Sequence, residues 1–168
     1  MKAQAFLIGV CLTIGFACDS GNQSPYSAGF SVYLLKDPDV TASQAWLLPL
    51  ESLTLANMPF LTQADLRSYS WQTHEFTAAT SVDTQLSDLA KRHGPTGGIP
   101  FVVTVGRERI YLGAFWYLYS SLAPQVPYID VIGNPHRISP AWTAGSQPDR
   151  RYDGRVYETL KAAGLLAQ

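Results

Sequence analysis

The chain has 168 residues, 46% hydrophobic and 15% charged, enough for one domain with a sizeable core and far from the composition of a disordered chain. Its formal net charge of -1, which losing Lys2 would lower by one further unit, lacks the basic excess that nucleic-acid binding demands. The only two cysteines are Cys11 and Cys18, so everything after Cys18 lacks disulfides, thiolate nucleophiles and cysteine-ligated metals.

Met1-Lys2 makes a short positive start, and Ala3 to Ala17 is an apolar run broken only by Gln4 and Thr13. A membrane-spanning helix needs about 20 apolar residues, so this run is short for a span and has the layout of an export leader. Ala17 directly precedes Cys18, and Asp19-Ser20-Gly21-Asn22-Gln23-Ser24-Pro25 follows. This pattern resembles a bacterial lipoprotein signal, although such signals usually carry Leu where Gly15 stands. The resemblance implies removal of residues 1–17, acylation of Cys18 (palmitate among the chains) and anchoring in a membrane of the cell envelope. Each buried acyl methylene contributes about 0.8 kcal/mol, and two or more chains hold stably. Asp19 resembles the residue that retains some lipoproteins at the inner membrane. Residues 18–29, rich in Ser, Gly and Asn, read as a tether, and 30–168 as one globular domain.

Phe30 to Leu35 alternates as a strand, with Phe30, Val32 and Leu34 on one face. Thr41 followed by Gln44 is a capping-box pattern for a short helix ending before Pro49. Leu53-Thr54-Leu55 reads as a possible strand. Thr62 with Asp65 is a second capping box, opening a predicted helix from Gln63 to Tyr69. Trp71 to Thr77 is predicted as a strand. Ser81 to Arg92 is predicted as a helix with Val82, Leu86 and Leu89 on its buried stripe and Gly94 as its stop.

Phe101 to Val105, the polar Gly106-Arg107 and Arg109 to Leu112 form the clearest signal, a central hairpin. Its first strand is apolar on both faces apart from Thr104, which predicts packing on each side. The aromatics of Gly113 to Leu122 would either extend the second hairpin strand or begin a helix from about Ala114, and the helix is the favoured reading. Tyr128 to Ile132 is predicted as a strand, His136 to Ser139 as a short edge strand and Ala141 to Asp149 as loop. Asp153 caps a last helix with Val156, Leu160 and Ala163 inward and Gly164 as its stop. The predicted fold is α+β: a mixed or antiparallel sheet of about four to six strands with packed helices.

The candidate chemistry is sparse. His74, His93 and His136 show no ligand spacing, so no metal or other cofactor is expected. Ser120-Ser121 lack the context of a nucleophile elbow. Trp116 and Tyr119, on one face of the predicted helix, would stack on a sugar ring if exposed. Arg150, Arg151 and Arg155, flanking the last helix, would hold a carboxylate or phosphate. Asp130, His136, Arg137, Asp149 and Arg151 lie near the ends of the late strands and would make a hydrolase site if folded into one cleft. The leading expectation is a non-enzymatic envelope module that binds a protein or small ligand, with His136, Trp116, Tyr119 and the three arginines as candidate contacts. A hydrolase and a carbohydrate-binding module are the alternatives.

Two further resemblances carry no activity. Gly98-Ile99-Pro100-Phe101-Val102 ahead of a hairpin resembles the late part of a thioredoxin fold, but no C-x-x-C follows the leader. The stretches F-S-V-Y-L-L-K-D-P from Phe30, G-R-E-R-I-Y-L-G-A-F-W from Gly106 and D-G-R-V-Y-E-T-L-K-A-A-G-L-L from Asp153 are similar to uncharacterised bacterial exported or lipoprotein-type domains.

Overall fold

The computed structural model describes residues 28–91, 96–117, 119–133, 135–142 and 148–167. The leader, Cys18 and most of the tether, together with His93, Gly94 and residues 143–147 of the predicted loop, lie outside the described residues.

Eight strands form one sheet: β1 (Phe30–Leu34), β2 (Leu61–Thr62), β3 (Leu66–Tyr69), β4 (Glu75–Ala78), β5 (Ile99–Val105), β6 (Glu108–Trp116), β7 (Tyr128–Asp130) and β8 (His136–Ser139). Their spatial order is β2-β1-β5-β6-β7-β8-β4-β3. The two outermost strands, β2 and β3, are neighbours in sequence, joined by a single 3-10 turn at Gln63–Asp65. That short link brings the sheet's edges together, and the sheet curls into a nearly closed barrel. All pairs are antiparallel except β6 with β7.

This corrects the expectation of four to six strands with packed helices. Two predicted helices became strand, and one predicted strand took a different place in the sheet. The region from Ala114 continues β6 to Trp116 instead of starting a helix. Alternation explains this: Tyr111, Gly113 and Phe115 face inward and Leu112, Ala114 and Trp116 outward, and both faces are covered. After its 3-10 turn, the predicted helix 63–69 becomes β3. Thr62 and Asp65 do make the capping box, with Asp65 Oδ2 accepting from the Thr62 amide at 2.8 Å. Finally, β8 is no edge strand, since it pairs with both β7 and β4.

The three α-helices are α1 (Ala42–Ala45), α2 (Thr80–Lys91) and α3 (Gly154–Ala162). α1 carries the expected Thr41–Gln44 capping box. α2 buries Val82, Leu86 and Leu89 against the end where β6 finishes, and there the Tyr117 hydroxyl donates to the Leu89 carbonyl at 2.7 Å. α3 lies by the other end of β6, where Arg155 meets Glu108 at 2.7 Å. Its cap Asp153 accepts from the Arg155 amide, and Gly164 takes the left-handed conformation past its end, as the sequence implies.

The barrel interior is filled. Phe30, Val32, Phe101, Val103, Phe115, Ile129 and Ile138 face inward with the helix stripes. Gly113 makes room for the Phe101 ring, because a Cβ there would stand 2.3 Å from it. The residual cavity is about 10 Å³ and is lined by apolar side chains and Tyr69. That is at or below the space one water needs, and no ligand fits. Outside the barrel, residues 40–55 cover β1, β5 and β6, with Ala45 and Leu53 packed on Val102. The first strand of the hairpin is therefore enclosed on both faces, with Phe101, Val102 and Val103 all fully buried.

Candidate functional site: a groove beside the first half of β6

The two halves of β6 have different neighbours. From Ala114 onward, β7 runs alongside in parallel, in the register Ala114↔Tyr128, Phe115↔Ile129 and Trp116↔Asp130. The Ala114 amide donates to the Pro127 carbonyl at 2.9 Å, and the Trp116 carbonyl accepts from the Val131 amide at 3.3 Å. Backbone groups alternate sides along a strand, so Leu112, two residues before Ala114, also turns its N–H and C=O away from β5. The β5 side agrees. Pro100 faces Ala114 and Val102 faces Leu112. A proline has no N–H to give, so the Pro100 pair suits the non-hydrogen-bonded class, and the Leu112 pair shares its parity.

Continuing the parallel ladder one step would pair the Leu112 carbonyl with the nitrogen of residue 127 and the Leu112 amide with the Gln125 carbonyl. Residue 127 is proline, which ends the ladder. The Leu112 amide makes no bond to Gln125 among the described residues. A groove of about 570 Å³ opens beside Leu112, within the range of ligand-binding clefts. Leu48, Leu53, Leu112, Val126 and Pro127 supply apolar lining, and Glu51, Arg109, Asp149, Arg150 and Arg155 the charged parts.

Each wall has a fixing device. Arg109 Nη1 donates to the carbonyls of Leu50 at 2.6 Å and Leu53 at 2.8 Å, binding the 50–53 segment to β6, and Glu51 lies 3.8 Å from its Nε. The opposite wall is held by Arg151, which is buried. Its Nε and Nη2 grip both Asp149 oxygens while Nη1 donates to the Ile138 carbonyl at 2.8 Å. Burial pushes the Asp149 carboxyl up, but the Arg151 hydrogen bonds outweigh it and hold the group below its ordinary range. Arg155 is chelated by Asp153 and Glu108, and its hydrogen bonds keep Asp153 low as well. Arg150 is exposed and makes no ion pair among the described residues. It is therefore the groove's available cation.

Of the residues singled out in the sequence, Arg150 and Arg155 line this groove, and Arg151 braces its wall from behind. The others lie elsewhere. Trp116 is buried against Gly98, whose φ of +73° and missing Cβ admit the indole ring. Tyr119 is exposed, so the two rings form no shared platform. His136 Nε2 meets Asp83 Oδ1 at 3.0 Å. Asp130 accepts from the Ile132 amide, and Arg137 donates to the Thr73 carbonyl. Asp130, His136, Arg137, Asp149 and Arg151 thus do not converge in one hydrogen-bonded set. Ser120 donates to the Thr96 carbonyl. No group of three potential metal ligands occurs among the described residues.

Sequence reasoning missed Arg109, Leu112 and Pro127. The available signal was Pro127 directly before a predicted strand, since a proline there marks where pairing must stop.

A second polar cluster lies under α3. His74 is buried with φ of 56°, in a turn rather than in the predicted strand 71–77. Its Nδ1 sits 2.9 Å from the Tyr69 hydroxyl. Burial, reinforced by the nearby Arg151 charge, lowers its pKa to about 4. Burial raises that of Tyr69. The phenol therefore donates and the imidazole is neutral, with its proton on Nε2. That atom is buried without a hydrogen-bond partner among the described residues, and the Tyr152 ring packs edge-on against the imidazole at a centroid distance of 4.4 Å. Tyr69 also lines the residual cavity of the barrel, about 10 Å³, so the cluster is a packing element at the edge of the core.

No helix among the described residues is long and apolar enough to cross a membrane. No family model, curated protein or solved structure matches the chain.

Proposed function

We propose that the chain is an envelope lipoprotein: residues 1–17 are removed, Cys18 is acylated, residues 18–29 are a tether, and the body is a non-enzymatic binding module using the groove beside β6. One observation carries the binding part. The barrel interior has no room for a ligand, whereas the outer groove offers about 570 Å³ of apolar lining with a charged rim. Such a combination of apolar surface and a few placed polar groups is what ligand sites are made of. The anchoring part rests on the apolar run ahead of Cys18 and on the absence of any thiol after it.

Both parts are testable. Mass spectrometry of the N-terminal peptide should find Cys18 acylated, and Cys18→Ser should release the protein from the membrane fraction. An unmodified Cys18 contradicts the anchor. For the groove, the thiol-free body permits a photo-crosslinker at Leu48→Cys, with Ile132→Cys as the exposed control outside the groove. One discrete envelope component captured at position 48 and not at 132 is the expected result. Equal capture at both sites contradicts it.

A further inference from the structure

Resting on the groove as the binding site, we infer that its ligand is an extended peptide that adds a strand beside Arg109–Leu112 of β6 and places an acidic side chain against Arg150. The first ground is the backbone. Leu112 turns an N–H and a C=O into the groove, Pro127 cannot serve the carbonyl, and the amide finds no β7 partner. In the open groove these two groups are left to solvent, and a peptide main chain supplies one donor and one acceptor at this spacing. Small amphiphiles lack that alternation. Strand addition to an open sheet edge is an established way to recognise extended peptides.

The second ground is charge. Arg109 and Arg155 are already committed to carbonyls and carboxylates within the fold, and Arg150 is not. An acidic side chain on the incoming strand would give Arg150 a partner. The stretch of β6 lining the groove, Arg109 to Leu112, spans roughly 10 to 13 Å at about 3.3 Å per residue, and a bulge at Ile110 leaves Leu112 as its regular pairing position. The bound segment is therefore four or five residues long, with alternate side chains turned towards Leu48, Leu53 and Val126.

The test uses the full chain carrying Cys18→Ser and three probes: a library of blocked pentapeptides with one Glu among Val, Ile, Leu and Thr; the same library N-methylated at alternate amides; and dodecanoate. Binding is read from the amide resonances of the groove residues Ile110 and Val126 in every variant, and from that of Leu112 where it is present. The peptide library should shift those resonances, and the N-methylated library should bind at least tenfold more weakly. Arg150→Glu should weaken binding of the first library about tenfold, and a library with Lys replacing Glu should recover it. Leu112→Pro removes the donor without touching the β5 ladder, so it should keep the native circular dichroism spectrum and lose peptide binding. Equal binding of both libraries, or binding unaffected by Leu112→Pro, overturns strand addition. A shift with dodecanoate alone overturns the peptide assignment while leaving the groove as a site. No shift with any probe overturns both.

Discussion

The inside and the outside of this barrel solve opposite problems. Within, Phe30, Phe101 and Phe115 interdigitate with Tyr111 and Gly113 until about 10 Å³ remains. Outside, below Ala114, the wall beside β6 stays open over about 570 Å³. A closed barrel can be a container. Here the container is packed shut, and the space lies where one proline interrupts the pairing of two strands. Stability and recognition therefore belong to separate residues, and substitutions should separate them.

The largest effect is expected inside. Phe101→Ala deletes a fully buried ring and should cost about 3–5 kcal/mol in urea denaturation. The half-exposed Leu48→Ala in the groove wall should cost less than about 0.5 kcal/mol. Comparable losses would mean the groove is part of the core.

Acid should also act on the packed side. His74 titrates at about 4 in the fold and near 6.5 in the unfolded chain. Above that upper value both states are neutral. Between the two values the unfolded chain takes up a proton that the folded protein does not, so stability falls with pH, by up to about 3 kcal/mol. His74→Asn, which tolerates the left-handed backbone, should flatten the stability profile between pH 6.5 and 4. An unchanged profile would assign the acid sensitivity to other groups.

A smaller loss is expected from Gly113→Ala. Its Cβ would meet the Phe101 ring at 2.3 Å, and overpacking of this kind costs about 1–3 kcal/mol. A neutral result in the same denaturation assay would mean that the barrel wall gives way at this point.

What was legible in the sequence was local. Thr41–Gln44, Thr62–Asp65 and Asp153 act within three residues, and each forms its cap. The hairpin 101–112 closes through its own turn, and the α2 stripe is one helix face. The sheet's extent was hidden because Phe115 and Trp116 suit a helix or a strand equally until their neighbours are known. The groove was hidden for a similar reason. Arg109 finds its carbonyl partners 56 and 59 residues earlier in the chain, and the open edge at Leu112 exists only because Pro127 arrives beside it. Arg151 looked like a ligand-binding cation. Its commitment to Asp149 and to the Ile138 carbonyl depends on where β8 runs.

The unequal pairing of β6 makes the groove, and native-state hydrogen exchange of single amides measures it directly. The Ala114 amide, bonded to Pro127 at 2.9 Å, should exchange at least a hundredfold more slowly than the Leu112 amide, which faces the groove. Equal protection of the two amides would mean that the edge beside Leu112 is already covered, and the open half of β6 would not exist.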